Sequence, residues 1–311
     1  MPRAFTIVGL GEALFDVFPD RAILGGAPLN VAYHAHQFCS LNGGQGLVAS
    51  AAGTDELGQR MLAELRDRNL ATDFVQIDSD HLTGRVDITL SNGEPTYQFL
   101  DNVAWDHLAW TDQWQRLAQS CDAVVFGTLA QRTSTSREVI RRFVESASLA
   151  IRLFDVNLRV NFFDADCLRR SAQLATAIKL NTDELPIVLR LLGLTENSSS
   201  VPHSMTEAHG ATTLLKHFAE SGLRYVVLTQ GAEGTVLHTR DGSVLAAVPQ
   251  FPKLSQADNV GAGDACSAGL LWGWLNEWPA AQTVELANRL GAFVASQPGA
   301  TPKWPTDLVK P

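Results

Sequence analysis

The stretch Asp258-Asn259-Val260-Gly261-Ala262-Gly263-Asp264-Ala265-Cys266-Ser267-Ala268-Gly269 decides how the rest of this chain is read. Gly261, Ala262 and Gly263 precede a run, 265–276, in which Ala265, Ala268, Leu271, Trp272 and Leu275 recur at i, i+3 and i+4 spacing, so a helix is predicted to start near Ala262. A glycine-rich turn that opens a helix leaves backbone N–H groups without intrahelical partners. The helix dipole adds partial positive charge there, which suits a phosphate or a developing oxyanion. Asp264 falls in the first turn. A carboxylate beside an anion hole can act as a base on a hydroxyl that attacks a bound phosphorus. The same residues also suit a plain tight turn with an acidic group placed by the dipole, and short motifs carry false positives.

Composition narrows the class. The 311 residues suffice for one large α/β domain or two ordinary ones. With 45% hydrophobic and 18% charged residues the chain has the composition of a soluble globular protein. A formal net charge of −9 argues against nucleic acid or an anionic membrane as a partner. It also gives no long-range attraction for an anionic nucleotide, so a phosphate site must be built locally from dipoles, arginine or metal. Cys39, Cys121, Cys167 and Cys266 are scattered and form no C-x-x-C pair, which predicts buried free thiols in a reducing compartment. No apolar run approaches the roughly 18 residues of a membrane span. Met1-Pro2-Arg3-Ala4 leads directly into a strand-like segment without a signal-peptide core, so a cytoplasmic location is expected.

Outside the opening stretch the chain alternates short apolar runs with helical patterns. Strands are predicted at 5–10, 47–52, 123–127, 151–156, 177–180 and 225–229. Helices are predicted at 25–38, 57–68, 134–147, 164–175, 183–192 and 206–221. Such alternation implies βαβ units and a mostly parallel sheet covered on both faces. Two regions break the rhythm. Residues 86–90 and 96–100 alternate apolar and polar around Ser91-Asn92-Gly93-Glu94-Pro95, a strong hairpin signal. Val86, Ile88, Leu90, Tyr97 and Phe99 would share a face that must cover a core, a site or a second subunit. The irregular segment 13–24 is placed to pair with it. Residues 196–209, with Ser198-Ser199-Ser200 and Pro202, read as a surface loop with solvated His203 and His209.

Two glycine patterns resemble nucleotide motifs without completing them. Gly9-Leu10-Gly11-Glu12-Ala13-Leu14 follows a strand, but Leu14 stands where a dinucleotide fingerprint needs its third glycine, and no helix pattern follows. That leaves an NAD-dependent oxidoreductase as a minor alternative. Gly44-Gln45-Gly46 precedes its strand, which is the wrong order. No P-loop and no Gly-x-Ser-x-Gly elbow occurs.

Gly25-Gly26-Ala27-Pro28-Leu29-Asn30-Val31-Ala32 near the N-terminus and Asp258-Asn259-Val260-Gly261-Ala262-Gly263-Asp264 near the C-terminus together resemble the two signatures of the ribokinase-like (PfkB) carbohydrate kinases. Four further landmarks appear in order: Gly53-Thr54-Asp55-Glu56-Leu57-Gly58, Asp155-Val156-Asn157-Leu158-Arg159, Asn181-Thr182-Asp183-Glu184 and Thr229-Gln230-Gly231-Ala232-Glu233-Gly234. The resemblance spans nearly the whole chain, with Asn259 where the family usually has Thr. It implies a three-layer ribokinase-like α/β fold, one domain over 1–311, with a mostly parallel central sheet and a small β-sheet lid formed by about 12–24 and 83–104.

What the resemblance implies for chemistry is transfer of the ATP γ-phosphate to a sugar hydroxyl. Asp264 is then the base, the N–H groups of Gly261, Ala262 and Gly263 hold the phosphoryl oxygens, and Arg159 is the cationic phosphate contact. Asp16, Gly26 and Asn30 are implied at the sugar, with Phe99 and Tyr97 closing over it. Asn181, Thr229, Gly231, Gly234 and, more weakly, Asn288 are implied at the nucleotide. Glu184 would order water around Mg²⁺. Asp258, with carbonyls near Val260, Val294 and Gly299, matches a monovalent-cation (K⁺) position. D-Fructose is the implied sugar. A 2-keto-3-deoxygluconate kinase, another ketose or nucleoside kinase, or a silent sugar-binding relative are the alternatives, and a homodimer through the lid is a further expectation.

Overall fold

The computed structural model describes residues 3–91, 94–159, 162–195, 207–305 and 308, and the side chains of these except at 90, 91, 94 and 95. The Asn92-Gly93 turn, the Leu90 side chain and the 196–206 part of the expected loop, with His203, therefore lie outside the described residues. His209 belongs to a helix, not to that loop.

The large sheet is built on short strands that are mostly apolar except at its edge, as burial of the inner ones on both faces demands. These are β1 (Thr6–Leu10), β4 (Gln45–Gly53), β5 (Val75–Asp78), β8 (Ala123–Phe126), β9 (Ile151–Asp155), β10 (Ala177–Asn181) and β11 (Tyr225–Thr229). All are parallel neighbours in the order β11-β10-β9-β8-β1-β4-β5. A hairpin, β12 (Thr235–Thr239) and β13 (Gly242–Ala246), extends the β11 edge antiparallel. That hairpin was not anticipated, although Asp241-Gly242 at its turn is a hairpin-type pair.

Side chains alternate across the sheet, and so the two layers separate cleanly. Ala123, Val125 and Leu153 face α1 (Ala27–Cys39), α8 (Ala262–Leu275) and α9 (Ala280–Val294). Val124, Phe126 and Phe154 face the opposite layer of α3 (Asp112–Ser120), α4 (Ser134–Ser146), α5 (Ala165–Leu174), α6 (Glu184–Leu192) and α7 (Glu207–His217). Helix α2 (Glu56–Asp67) packs Met61 and Leu65 against α1 and β4. Helix starts follow local chemistry. Asp55, Thr111, Thr133 and Asp164 each accept an N–H of the first turn of α2, α3, α4 and α5.

The near-fingerprint glycines have a packing explanation. A Cβ on Gly9 would stand 1.9 Å from the Pro28 carbonyl oxygen, and one on Gly46 would stand 2.0 Å from the Ala32 carbonyl oxygen. Both glycines let α1 lie directly on β1 and β4. All four cysteines are free and buried, as expected.

The second sheet contains β2 (Leu14–Val17), β3 (Ala22–Gly25), β6 (Gly84–Ser91) and β7 (Glu94–Phe99), in the order β3-β2-β6-β7. The segment 13–24 does pair with the hairpin: β2 runs parallel to β6 and antiparallel to β3. Burial fades along the hairpin. Val86 and Ile88 join the core around Trp105, and Phe99 sits edge-on to Phe162 at 5.4 Å. Tyr97 is 56% exposed. The apolar face is thus covered at its root only.

Two joints hold this sheet to the body. Asp55 caps α2 and also accepts the Thr83 hydroxyl and N–H, while Gly53 N–H donates to the Thr83 hydroxyl at 2.9 Å. That explains the Gly53–Gly58 landmark: a Cβ on Gly58 would lie 2.0 Å from the Gly53 carbonyl oxygen. On the return side, Arg132 grips buried Asp106 with two bonds of 2.7 and 2.6 Å, donates to the Leu100 carbonyl at 2.6 Å and stacks on Trp105.

Arg132→Ala leaves Asp106 buried and unpaired, and should cost about 3–5 kcal/mol in urea unfolding. The neutral double variant Arg132→Met with Asp106→Asn should recover most of that loss. A single-variant loss below about 1 kcal/mol would show that the ion pair does not hold the joint.

Candidate active site

Chain order reverses around β1: the strands β4 and β5 lie to one side of it, and β8 to β11 follow on the other. In open parallel sheets such a switch point leaves a crevice at the carboxyl ends of the strands, where ligands bind. Here a small cavity opens between the ends of β1, β8 and β9 and the start of α1, lined by Glu12, Pro28, Phe126, Thr128, Asp155 and Asn157 among others.

Helix α1 begins at this crevice behind Gly26. The φ of Gly26 is +111°, and a Cβ there would lie 2.5 Å from the Glu12 carbonyl oxygen. Backbone packing therefore demands this glycine whatever it does for a sugar. Four residues on, Asn30 is 4% exposed and donates its amide to the Asp264 carboxylate at 2.8 Å. The two quoted signatures thus meet through a side-chain hydrogen bond.

Helix α8 starts at Ala262 as the sequence predicts, after Gly261 at φ +78°. Ala300 packs so closely on Gly261 that a Cβ would stand 2.4 Å from its carbonyl oxygen. His34 fixes that carbonyl at 2.9 Å and stacks on Trp304. Burial pushes His34 down to about 4, so the ring is neutral and its Nε2–H donates. Of the three expected anion-holding groups, Ala262 N–H donates to the Asn259 carbonyl at 3.3 Å within the turn. The N–H groups of Gly261, Gly263 and Asp264 have no protein acceptor among the described residues. Asn259 serves through its backbone; no side-chain cap to α8 is formed. A Cβ on Gly263 would meet only the Lys179 ammonium, at 3.5 Å, so the chain's own packing leaves space in front of this turn.

Asp264 retains some surface exposure, yet enough protein surrounds its carboxyl to push it up to about 6. Burial is the main cause and the Asp155 charge adds to it; Asn30, Lys179 and Arg159 act the other way. Burial likewise pushes Glu12 up to about 7, and its Oε2 has no hydrogen-bond partner. Glu12 was seen in the sequence only as part of the near-fingerprint.

The sugar-side candidates converge on one face. Asp16, Val86 and Phe99 stand in one row across the second sheet, so their side chains point the same way. The Asp16 carboxylate has no hydrogen-bond partner among the described residues; burial raises it, and the Arg159 charge opposes the rise. Arg159 is exposed, without an ion pair among the described residues, and its charge acts on Glu12, Asp16 and Asp264.

The nucleotide-side candidates gather at the ends of β10 and β11. Asn181 accepts the N–H groups of Asp183 and Glu184 at 2.9 Å each, so it orders the start of α6. Glu184 is 8% exposed and accepts the N–H groups of Leu158 at 2.8 Å and Asn181 at 2.9 Å, one with each oxygen. Thr229 donates to the Leu180 carbonyl at 3.4 Å. Gly231 has φ +57° with open space around it, whereas Gly234 at φ +107° is packed under the Ala246 carbonyl. Asn288 is buried rather than on the helix surface, and its amide holds that same carbonyl at 2.7 Å. Asp258 is exposed and accepts Val260 N–H at 3.0 Å.

Lys179 had not been picked out as a site residue, and Asp155 only as a landmark. Their side chains face each other between β10 and β9 at 2.8 and 3.0 Å, and Ser267 of α8 donates to Asp155 at 2.8 Å. The available signal was a lysine inside the otherwise apolar run Ala177-Ile178-Lys179-Leu180.

Known proteins share the family signature and the fold. The family model for pfkB family carbohydrate kinases matches residues 20–307. A fructokinase of Escherichia coli is 28% identical over 95% of this chain and 95% of its own length. The structure of a fructokinase with bound ATP from Xylella fastidiosa superposes with TM-score 0.79 at 22% identity, covering 96% of this chain and 94% of that one. That of an aminoimidazole riboside kinase from Salmonella enterica, complexed with aminoimidazole riboside and an ATP analog, superposes with TM-score 0.75 at 22% identity, covering 97% and 98%.

Asp264 also makes a stability prediction. A carboxyl raised in the folded state holds its proton more tightly than in the unfolded chain. Its stabilising contribution is present below the unfolded value of 3.8 and is lost as pH rises through about 6. Asp264→Asn should therefore be more stable than wild type at pH 7.5, on the order of 1–3 kcal/mol, with the advantage gone near pH 4. Thermal unfolding of the ligand-free proteins at the two pH values measures this, and equal differences at both would refute burial as the cause.

Proposed function

Since the chain belongs to the pfkB family of carbohydrate kinases, phosphotransferases that use ATP and a hydroxyl acceptor, we propose that its acceptor is a sugar of the ketose class, D-fructose first among them. The observation that carries the reading is Asp264, held by Asn30 beside the unpartnered N–H groups of Gly263 and its own backbone.

Phosphoryl transfer asks mainly for placement and charge stabilisation. The turn 261–264 receives the transferring phosphoryl oxygens at the positive end of α8. Asp264 takes the proton of the attacking hydroxyl, and burial tunes it toward the pH at which a base is both ionised and effective. Asn30 aims the carboxylate, so it acts on the sugar through Asp264. Asp16 offers an unpaired carboxylate to vicinal hydroxyls, and Phe99 covers the same side. Thr229 and Gly231 lie where the nucleotide would run.

Among the described residues no cluster of three or more His, Cys, Asp or Glu side chains could hold a metal ion. That suits Mg²⁺, which keeps most of its waters and is carried by the nucleotide phosphates. Glu184 would hold it through water, since each oxygen already accepts one backbone N–H and keeps further lone pairs. When bound, Mg²⁺ neutralises charge developing on the phosphates. For K⁺ the oxygen set is partly engaged: Asp258 accepts Val260 N–H, and the Val294 carbonyl accepts Gln297 N–H at 2.9 Å. No step of the reaction is assigned to that ion.

Fructose is supported by the motif resemblance and by the name of the Escherichia coli relative. A sugar acid such as 2-keto-3-deoxygluconate is the second reading, favoured by the exposed Arg159 whose charge acts on Asp16 and Asp264. A homodimer through the second sheet is a further proposal. It is motivated by exposed Ile23 and Tyr97 on the face that carries Asp16 and Phe99, so a partner there would close over the site. Sedimentation that reads monomer at all micromolar concentrations would rule it out.

The central test is ADP release with MgATP across fructose, ribose, 2-keto-3-deoxygluconate and adenosine. Fructose should give the highest kcat/KM, and a tenfold advantage for another acceptor would replace the substrate. On the best substrate Asp264→Asn should lower kcat by about 10²–10⁴ while MgATP and sugar still bind by calorimetry. Near-normal kcat in that variant would return the turn to a purely structural role.

A further inference from the structure

Lys179 is buried, 6% exposed, in the middle of β10. An ammonium removed from water is costly unless paired. Its recorded hydrogen bonds both go to the Asp155 carboxylate, at 3.0 and 2.8 Å. Asp155 is the cross-strand neighbour of Lys179 in the sheet register. It also accepts the Ser267 hydroxyl at 2.8 Å, and Ser267 lies within 3.1 Å of the Gly263 carbonyl. The pair therefore sits directly under the first turn of α8 and ties it to two strands.

A structural tie alone does not explain where the charge points. An ammonium has three protons, and one carboxylate need not engage them all. On the α8 side Nζ approaches Gly263, where a Cβ would stand 3.5 Å away. Beyond the turn itself nothing else among the described residues lies within 4 Å of that position, so the cation borders the space in front of the turn, and its charge acts on Asp264. Burial acts to lower Lys179, but the neighbouring charges, Asp155 first among them, and the hydrogen bonding to Asp155 together outweigh it, so the group stays ionised.

We propose that Lys179 is a positioning residue for phosphoryl transfer: its fixed charge under the α8 turn keeps Asp264 an effective base and reinforces the field that receives the transferring phosphoryl group. The inference rests on the kinase reading above. Asp264 is faced by Asn30 from α1, Asp155 from β9, Lys179 from β10, Arg159 from the segment after β9, and Glu12 from the segment after β1. Cys266 of α8 and Glu184 of α6 also face Lys179. Among these groups Lys179 is the cation that is both buried and held in one place. Arg159 is exposed and has no ion pair among the described residues.

The test compares wild type, Lys179→Met and the neutral pair Lys179→Met with Asp155→Asn, using the best acceptor from the panel and MgATP over pH 5–9. In Lys179→Met the acid limb of kcat should move up by about one pH unit or more, because a cation that favoured the ionised base is gone while Asp155 remains. Plateau kcat should fall by about tenfold or more with sugar KM within about threefold, the signature of a lost transition-state interaction. In the double variant the limb should return toward wild type, since the opposing Asp155 charge is also gone, but plateau kcat should stay low. The double variant carries no unpaired buried charge and decides the matter even where Lys179→Met fails to fold. A double variant with plateau kcat within about threefold of wild type, or a folded Lys179→Met with an unmoved limb, would overturn the inference alone. A wild type that phosphorylates no acceptor would remove the kinase reading and this inference together.

Discussion

The hydrogen bond from Asn30 to Asp264 spans 234 positions of the chain, and the site depends on the geometry that lets it form. Asn30 is delivered by α1, which starts at the switch point because Gly26 tolerates a φ of +111° against the Glu12 backbone. Asp264 is delivered by α8, which starts where Gly261 tolerates φ +78° against Ala300. Side chains at either glycine would push a helix start away from the crevice. The same two helices cover one face of the large sheet through Val31, Ala35, Ala265 and Leu271. Site geometry and core packing are therefore one constraint, and the core holds the base in place.

That crevice concentrates charge in a chain whose net charge is already −9. Glu12, Asp16, Asp155, Glu184 and Asp264 all act on this region, against Lys179 and Arg159. Burial raises Glu12, Asp16, Glu184 and Asp264. Such an arrangement opposes folding at neutral pH and persists because the surrounding packing over-determines it. An anionic co-substrate must be received within it by local means: free N–H groups at the end of α8 and two cations of different kinds. Lys179 is held by Asp155 in the sheet, while Arg159 is exposed at the surface.

The second sheet shows how a single pattern can carry two demands. Its root is part of the main core through Val86 and Ile88, and its joints are closed by Asp55 with Thr83 and by Arg132 with Asp106. Asp16 and Phe99 stand in the same row as Val86, and two residues further along the hairpin Tyr97 is exposed to solvent. Alternation of apolar and polar residues predicts which side chains share a face. It does not say how far along that face the body of the protein extends, because that depends on where the strands leave it.

Much of the architecture was legible in the chain itself. Apolar runs of strand length separated by helical periodicity specified a parallel sheet covered on both faces, and Gly261-Ala262-Gly263 marked the start of α8, because these patterns report local geometry that tertiary contacts only reinforce. The order of six motifs pointed to the kinase family. Tertiary structure alone decided the rest. Gly9 and Gly46 look like parts of nucleotide loops until α1 is seen lying on them. Asn288 is only a weak nucleotide-side candidate until its amide is seen holding the Ala246 carbonyl at the end of β13. Lys179 and Glu12 gain meaning only when strands and turns far apart in sequence bring charged groups into one water-poor crevice. Burial and pairing are properties of the assembled layers, and no local pattern encodes them.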